Sequence, residues 1–240
     1  MGATAPLARP EFNVKKPVSP FFQSYSMKIS ILGTGAFGTI LGKAFLANGH
    51  QVYFGSRTPA AKTAWVAELG ANAQVGTYSQ AGAFGEVVVI ATPWPNQGTA
   101  DVLQAVGPLP NKILVDATNA LEADYSPRHF AQAASAAEEV ARLRPEARVV
   151  KAFNTASGYT IGGQRLRFDE ATVTGFYCGD DAEAKAVVRE LVQAAGLSPL
   201  DTGPLATARH LDSLGQLLIA LAFGQGLGVD SGFAYLHRPA

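Results

Sequence analysis

The chain has a single cysteine, Cys178, which excludes an intrachain disulfide and a cysteine-based metal cluster. It lies in the apolar run Val173–Cys178 and reads as a buried structural thiol. An excess of either charge is also missing. The 19 Lys and Arg balance 19 Asp and Glu, which leaves no electrostatic case for nucleic acid or an anionic membrane surface. No apolar run reaches the ~18 residues of a membrane helix, so neither a membrane span nor a membrane partner is expected, and the chain reads as cytoplasmic. No Ser–His–Asp set and no metal-ligand spacing appears among the 4 histidines or elsewhere. No catalytic residue and no metal ligand is therefore assigned.

What is present is apolar residue and glycine. Hydrophobic residues make up 48% of the 240, with 25 Gly, enough for a sizeable core with many tight turns. Residues 1–26 carry Pro6, Pro10, Pro17 and Pro20 without periodicity or an h-region, and read as a disordered leader. From Met27 the pattern alternates strand and helix. Strands are expected at Lys28–Leu32, Gln51–Gly55, Gln74–Thr77, Glu86–Ile90, Lys112–Asp116 and Arg148–Ala152. Helices are expected at Thr39–Asn48, Pro59–Leu69, Ser79–Phe84 and Asn96–Val106, with a long Ala-rich one over Ser126–Arg144. Strands that are apolar throughout call for a parallel sheet covered on both faces. Thr155–Glu170 reads as a loop. Strands at Thr172–Cys178 and Leu197–Asp201 and helices at Asp181–Ala195, with Asp180 as N-cap, and at Pro204–Phe223 complete the chain. The fold class is α/β, a Rossmann-type doubly wound parallel sheet with a small C-terminal strand-helix extension. The division is a leader over 1–26, a nucleotide-binding domain over 27–155 and an extension of it over 156–240.

The chemistry centres on Gly33-Thr34-Gly35-Ala36-Phe37-Gly38, between the first strand and the first helix. This is the dinucleotide fingerprint: Gly33 makes the tight turn, Gly35 admits a pyrophosphate and Gly38 lets helix and strand pack closely. An NAD enzyme carries Asp or Glu at the end of the next strand, about 20 residues on, to bond the ribose 2′-OH. Here Ser56-Arg57-Thr58 stands there, with Lys62 one turn on. Arg57 can stack on and pair with a 2′-phosphate, and the hydroxyls can donate to it, so the pattern selects NADP(H). Three further strand ends carry small and polar residues: Ala91-Thr92-Pro93-Trp94, Asp116-Ala117-Thr118-Asn119 and Ala152-Phe153-Asn154-Thr155. Together they form a crevice able to take a ribose and a nicotinamide amide. No Lys follows Asn119 or Asn154 at helical spacing, where a hydroxyacid dehydrogenase keeps its acid/base. Hydride transfer to another redox ring needs only stacked rings in near-attack contact.

These segments, in this order, with Asp201-Thr202-Gly203-Pro204-Leu205 and Ala208-Arg209 closing the series, resemble the NADPH-dependent deazaflavin (coenzyme F-420) reductase family. The cytoplasmic domain of the six-transmembrane metalloreductases is similar too. The likeness covers Met27 to about Phe223. It implies that Thr34 to Phe37 wrap the pyrophosphate and that Ser56 and Arg57 hold the 2′-phosphate, with Lys62 beside them. It implies that Thr92, Pro93, Trp94 and the Ala152 region border the nicotinamide. The last helix would shape the pocket of a small-molecule acceptor, deazaflavin or flavin, and pack in a homodimer. Deazaflavin reductases carry a His after the sixth strand; Phe153-Asn154-Thr155 here matches the metalloreductase-like branch. An NADPH sensor without turnover, and an imine or hydroxyacid reductase, are the alternative readings.

Overall fold

The computed structural model describes residues 26–162, 166–168 and 171–238. The leader expected over 1–26 lies, but for Ser26, outside them. In chain order the elements are β1 (Lys28–Leu32), α1 (Ala36–Ala47), β2 (Gln51–Gly55), α2 (Thr63–Ala67), β3 (Ala73–Gly76), α3 (Tyr78–Phe84) and β4 (Val87–Ile90). Next come α4 (Gly98–Val106), β5 (Ile113–Asp116), α5 (Ala136–Leu143), β6 (Arg148–Ala152) and α6 (Gly158–Gly162). The short pair β7 (Arg167–Phe168) and β8 (Ala171–Thr172) is followed by β9 (Thr174–Gly179), α7 (Ala182–Ala194), β10 (Ser198–Asp201) and α8 (Ala208–Ile219).

The main sheet has eight strands in the order β10-β9-β6-β5-β4-β1-β2-β3, which contains the doubly wound 3-2-1-4-5-6 arrangement. Successive strand residues face opposite sides. Ile29, Ile31, Val87 and Val89 join Leu41 and Phe45 of α1 and Val188 and Leu191 of α7 in one core. Leu32, Val88, Ile90 and Leu114 join Val102 and Leu103 of α4 and Val140 of α5 in the other. Both sides are therefore buried, which explains the unbroken apolar strands. Strand ends are in register: Leu32 pairs with Gly55 and with Ile90, Ile90 with Asp116 and Asp116 with Lys151. Every loop that leaves those ends therefore opens onto one rim.

The structure corrects the expectation in several places. The sheet is mostly parallel, since β9 pairs antiparallel with β6. Of the Ala-rich stretch only α5 is helical, N-capped by Ser135. Over 126–135 the chain is irregular because Arg128 and Phe130 both turn onto the Trp94 ring. Residues two apart on a helix do not share a face, so a helix could not deliver both. The second helix is broken into a 3-10 turn at Pro59–Lys62 and the short α2. The cap of α7 is Asp181; Asp180 instead accepts from the Leu205 N–H. The last helix begins at Ala208, after a 3-10 turn, and widens into a π turn over Ala220–Gly224. The expected loop after β6 holds α6, whose Gly158 and Gly162 let it press against Phe37 and Ile40 of α1.

Candidate functional site

The rim is organised by the turn between β1 and α1. Gly33 has φ +119°, and a Cβ there would lie 2.7 Å from the Ala91 carbonyl oxygen, so both conformation and space require glycine. A Cβ on Gly38 would run into the Gly33 carbonyl and sit 3.1 Å from Ile31 Cγ2. That glycine serves helix–strand packing and lines no cleft. Gly35 differs: φ is −74° and nothing lies within 4 Å of an added Cβ. It is the N-cap of α1 with no side-chain cap, no acid stands in the first turn, and the first helical bond is Thr39 N–H to Gly35 O. The preceding N–H groups and the dipole end can receive an anion.

A cleft of about 970 Å³ runs from this turn along the rim. Gly33, Thr34 and Gly35 form its floor; Ser56, Arg57, Thr58 and Lys62 form one end; Ala91, Thr92 and Pro93 form the opposite wall. Ten of the sequence-predicted residues thus meet in one space. Ser56 is buried, and its Oγ accepts from the Thr58 N–H at 3.2 Å, which fixes the loop that carries Arg57. The sequence reading missed Tyr78, which lines the same end. Burial pushes its phenol pKa up, opposed by nearby Arg57. The available signal was the capping box Thr77–Gln80, which starts α3 at the end of β3. Asp101 of α4 is the one carboxylate on this cleft among the described residues.

On the other side of the turn is an apolar cavity of about 330 Å³. Ala36, Phe37 and Ile40 of α1 form one wall, Asn119 and Asn154 the base, and Leu218, Ile219 and Phe223 the far wall. No charged side chain lines it among the described residues. Phe153, buried and at φ +69°, makes the turn that brings Asn154 to the base. Asn154 Nδ2 donates to Leu211 O at 2.8 Å and to Asn119 Oδ1 at 3.3 Å. Its Oδ1 is buried without a protein partner, a polar atom that an added donor would satisfy. Gly215 of α8 lies against the same two amides.

Two predicted residues face inward. Trp94 is 2% exposed and donates from Nε1 to Thr118 Oγ1 at 2.7 Å. Ala152 is fully buried in the core. Neither lines a cleft.

The second omission is Lys151, wholly buried on β6. Its Nζ donates to Asp116 Oδ2 at 2.9 Å and to Thr118 O at 2.7 Å. It also lies 2.7 Å from Asp212 Oδ1 as an ion pair. Asp116 Oδ1 accepts from the N–H and Oγ1 of Thr118, and Asp212 Oδ2 from the Ala136 N–H that begins α5. Desolvation alone would lower the ammonium pKa, but the two carboxylates outweigh it and the net shift is upward, so Lys151 is charged. The sequence signal was a lysine inside an apolar central strand, which demands a counter-charge. Cys178, behind this group, is buried, and burial pushes its pKa up to about 12. Among the described residues no group of three or more His, Cys, Asp or Glu could hold a metal, and no helix is long and apolar enough to cross a membrane.

A doubly wound sheet with a glycine turn, an anion-receptive helix end and a basic corner defines the class of Rossmann-type dinucleotide folds. The family profile described as NADP oxidoreductase, coenzyme F420-dependent, matches residues 28–120. A crystal structure from Arthrobacter sp. FB24, provisionally called an F420-dependent NADP reductase, is 30% identical with a TM-score of 0.76; the alignment covers 88% of this chain and 100% of that one. The metalloreductase STEAP3 of Rattus norvegicus is 33% identical over 188 residues, 78% of this chain and 36% of the relative. A reductive aminase from Aspergillus terreus, solved with NADPH and ethyl levulinate, is 25% identical with a TM-score of 0.62, over 84% of this chain and 63% of that one. The chain belongs to the coenzyme F420-dependent NADP oxidoreductase family, and it spans about a third of the length of the curated relatives it matches.

Proposed function

We propose that the chain binds NADP(H) along the rim and transfers a hydride between it and a flavin-like or deazaflavin acceptor. The observation that carries this reading is the meeting of two unlike spaces at Gly35-Ala36: a polar cleft ending in Arg57 and Lys62, and an uncharged cavity with Asn119 and Asn154 at its base. The residues fit such a cofactor. The α1 N-terminus and Thr34 hold the pyrophosphate, and Ser56, Arg57, Thr58 and Lys62 hold the 2′-phosphate. Thr92 and Pro93 would border the nicotinamide ribose, and Asn119 and Asn154, at the base of the cavity, would face the carboxamide. Trp94 and Ala152 support this wall from behind. Bound NADPH supplies a hydride with its electron pair. The chain orients the ring and excludes water with Phe37, Ile40, Leu218 and Phe223; it supplies position and an apolar surround in place of an acid or base.

Oxidation of NADPH, followed at the nicotinamide absorbance, tests this with deazaflavin, FMN, FAD and ferric chelates as acceptors. Turnover with deazaflavin or a flavin supports the reading. Tight binding with no turnover in any mixture favours a sensor. The NADPH-bound reductive aminase neighbour motivates a second reading, reduction of an imine in the same cavity; a cyclic imine as substrate tests it. We further propose a cytoplasmic homodimer, in which residues 156–240 complete the acceptor pocket and exposed Leu217, Phe223 and Leu227 supply contact area. Light scattering of the purified chain reads the oligomeric state.

A further inference from the structure

The buried cluster of Asp116, Lys151 and Asp212 has no part in the proposal above. All four carboxylate oxygens face donors or the ammonium: Oδ1 of Asp116 faces Thr118, Oδ2 of Asp212 faces Ala136, and the remaining two face Lys151. Oxygens that meet only donors are those of an ionised carboxylate, which can accept but not donate. Two carboxylates against one ammonium leave one excess negative charge. The dipole of α5 at Ala136 offsets about half a unit, so the cluster stays net negative. Neighbouring surface ions cancel in pairs: Arg128 with Glu122 and Arg209 with Glu138. Cys178 adds no charge, since burial holds it as a thiol.

This charge is joined to the apolar cavity through adjacent residues of the chain. Asp116 precedes Ala117, which lines the cavity, and Asp212 follows Leu211, whose carbonyl holds Asn154. Consecutive Cα atoms are about 3.8 Å apart, which puts the carboxylates on the order of 10 Å from a ring in the cavity. An uncharged lining offers no ion to screen them.

We propose that the Asp116–Lys151–Asp212 cluster favours the oxidised, cationic nicotinamide over the neutral reduced one, and so tilts the bound cofactor toward hydride donation. This rests on the NADP(H) reading. Loss of the hydride turns a neutral ring into a cation, and the cluster stabilises only the cation. A unit charge at about 10 Å, through an effective dielectric between about 20 and 80, changes the ratio of the two affinities by about 2- to 15-fold.

The test is the ratio of dissociation constants for NADP+ and NADPH, measured by calorimetry without any acceptor. Asp212→Asn and Asp116→Asn each remove one negative charge with little change of shape, and both should weaken NADP+ relative to NADPH by that factor. A purely structural role would move both affinities together, and an unchanged ratio overturns the inference. If the wild type binds neither nucleotide, the NADP(H) reading fails first and this inference with it.

Discussion

Gly35→Val separates the geometry of binding from that of folding. In the free protein the substitution is mild. The backbone at φ −74°, ψ 179° suits a β-branched residue, and an added Cβ meets nothing within 4 Å. The cost is the loss of a tolerated N-cap residue, about 1 kcal/mol or less. The bound state is different, because the isopropyl group occupies the space through which phosphate oxygens reach the α1 N–H groups. Hydrogen bonds to charged groups contribute about 1.5–3 kcal/mol each. Losing two of them weakens binding by about 3–6 kcal/mol, roughly 10²- to 10⁴-fold. Thermal unfolding and NADPH titration on one preparation check both halves. Gly38→Ala is the control of opposite kind. Its methyl group collides with backbone at Gly33, so the melting temperature drops, by several degrees for about 2 kcal/mol. NADPH affinity within threefold of wild type in a folded Gly35→Val protein would refute the assignment of this turn to a pyrophosphate.

Arg57→Glu puts a carboxylate where the 2′-phosphate is proposed and should erase the preference for NADPH over NADH, a change of about 2 kcal/mol or more in relative affinity; equal effects on both nucleotides would relocate the 2′-phosphate. His50 is buried between the end of α1 and the start of β2, beside Phe45, and desolvation lowers its pKa below the usual 6.5, against Glu190. A lowered folded-state pKa means that the unfolded chain takes up the proton first, so this stability is present above pH 6.5 and is lost as pH falls below it. His50→Gln should flatten the fall in melting temperature between about pH 7 and pH 5, and an unchanged slope would show that other groups control acid sensitivity. Cys178, with its pKa near 12 and no exposure, should resist alkylation at pH 8 until denaturant is added; rapid labelling of the native protein would contradict its burial.

Residues with local grammar were legible in the sequence. Gly33 and Gly38 announce a turn and a close packing contact through the absence of a side chain. Ser56-Arg57-Thr58 stands at a known offset from that turn, and the apolar strands declare a sheet buried on both faces. The long helix over Ser126–Arg144 was misread because alanine propensity is a local quantity, whereas Arg128 and Phe130 are held by an indole more than 30 residues earlier in the chain. Trp94 resembled a cleft residue because it follows Thr92-Pro93, yet its ring turns inward to Thr118. Tyr78 joins Arg57 only because β2 and β3 are adjacent.

By itself, then, the order of residues determined the strand and helix alternation, the glycine turn and the basic corner, because each depends on neighbours a few positions apart. Only the tertiary structure decided that Asp116, Lys151 and Asp212 form one buried cluster and that Asn119, Asn154 and Gly215 meet at the base of one cavity. These contacts join a strand end, a neighbouring strand and a helix some 60 residues further on. A Coulomb interaction or a van der Waals contact depends on distance through space, which the sheet sets by register and the chain does not record.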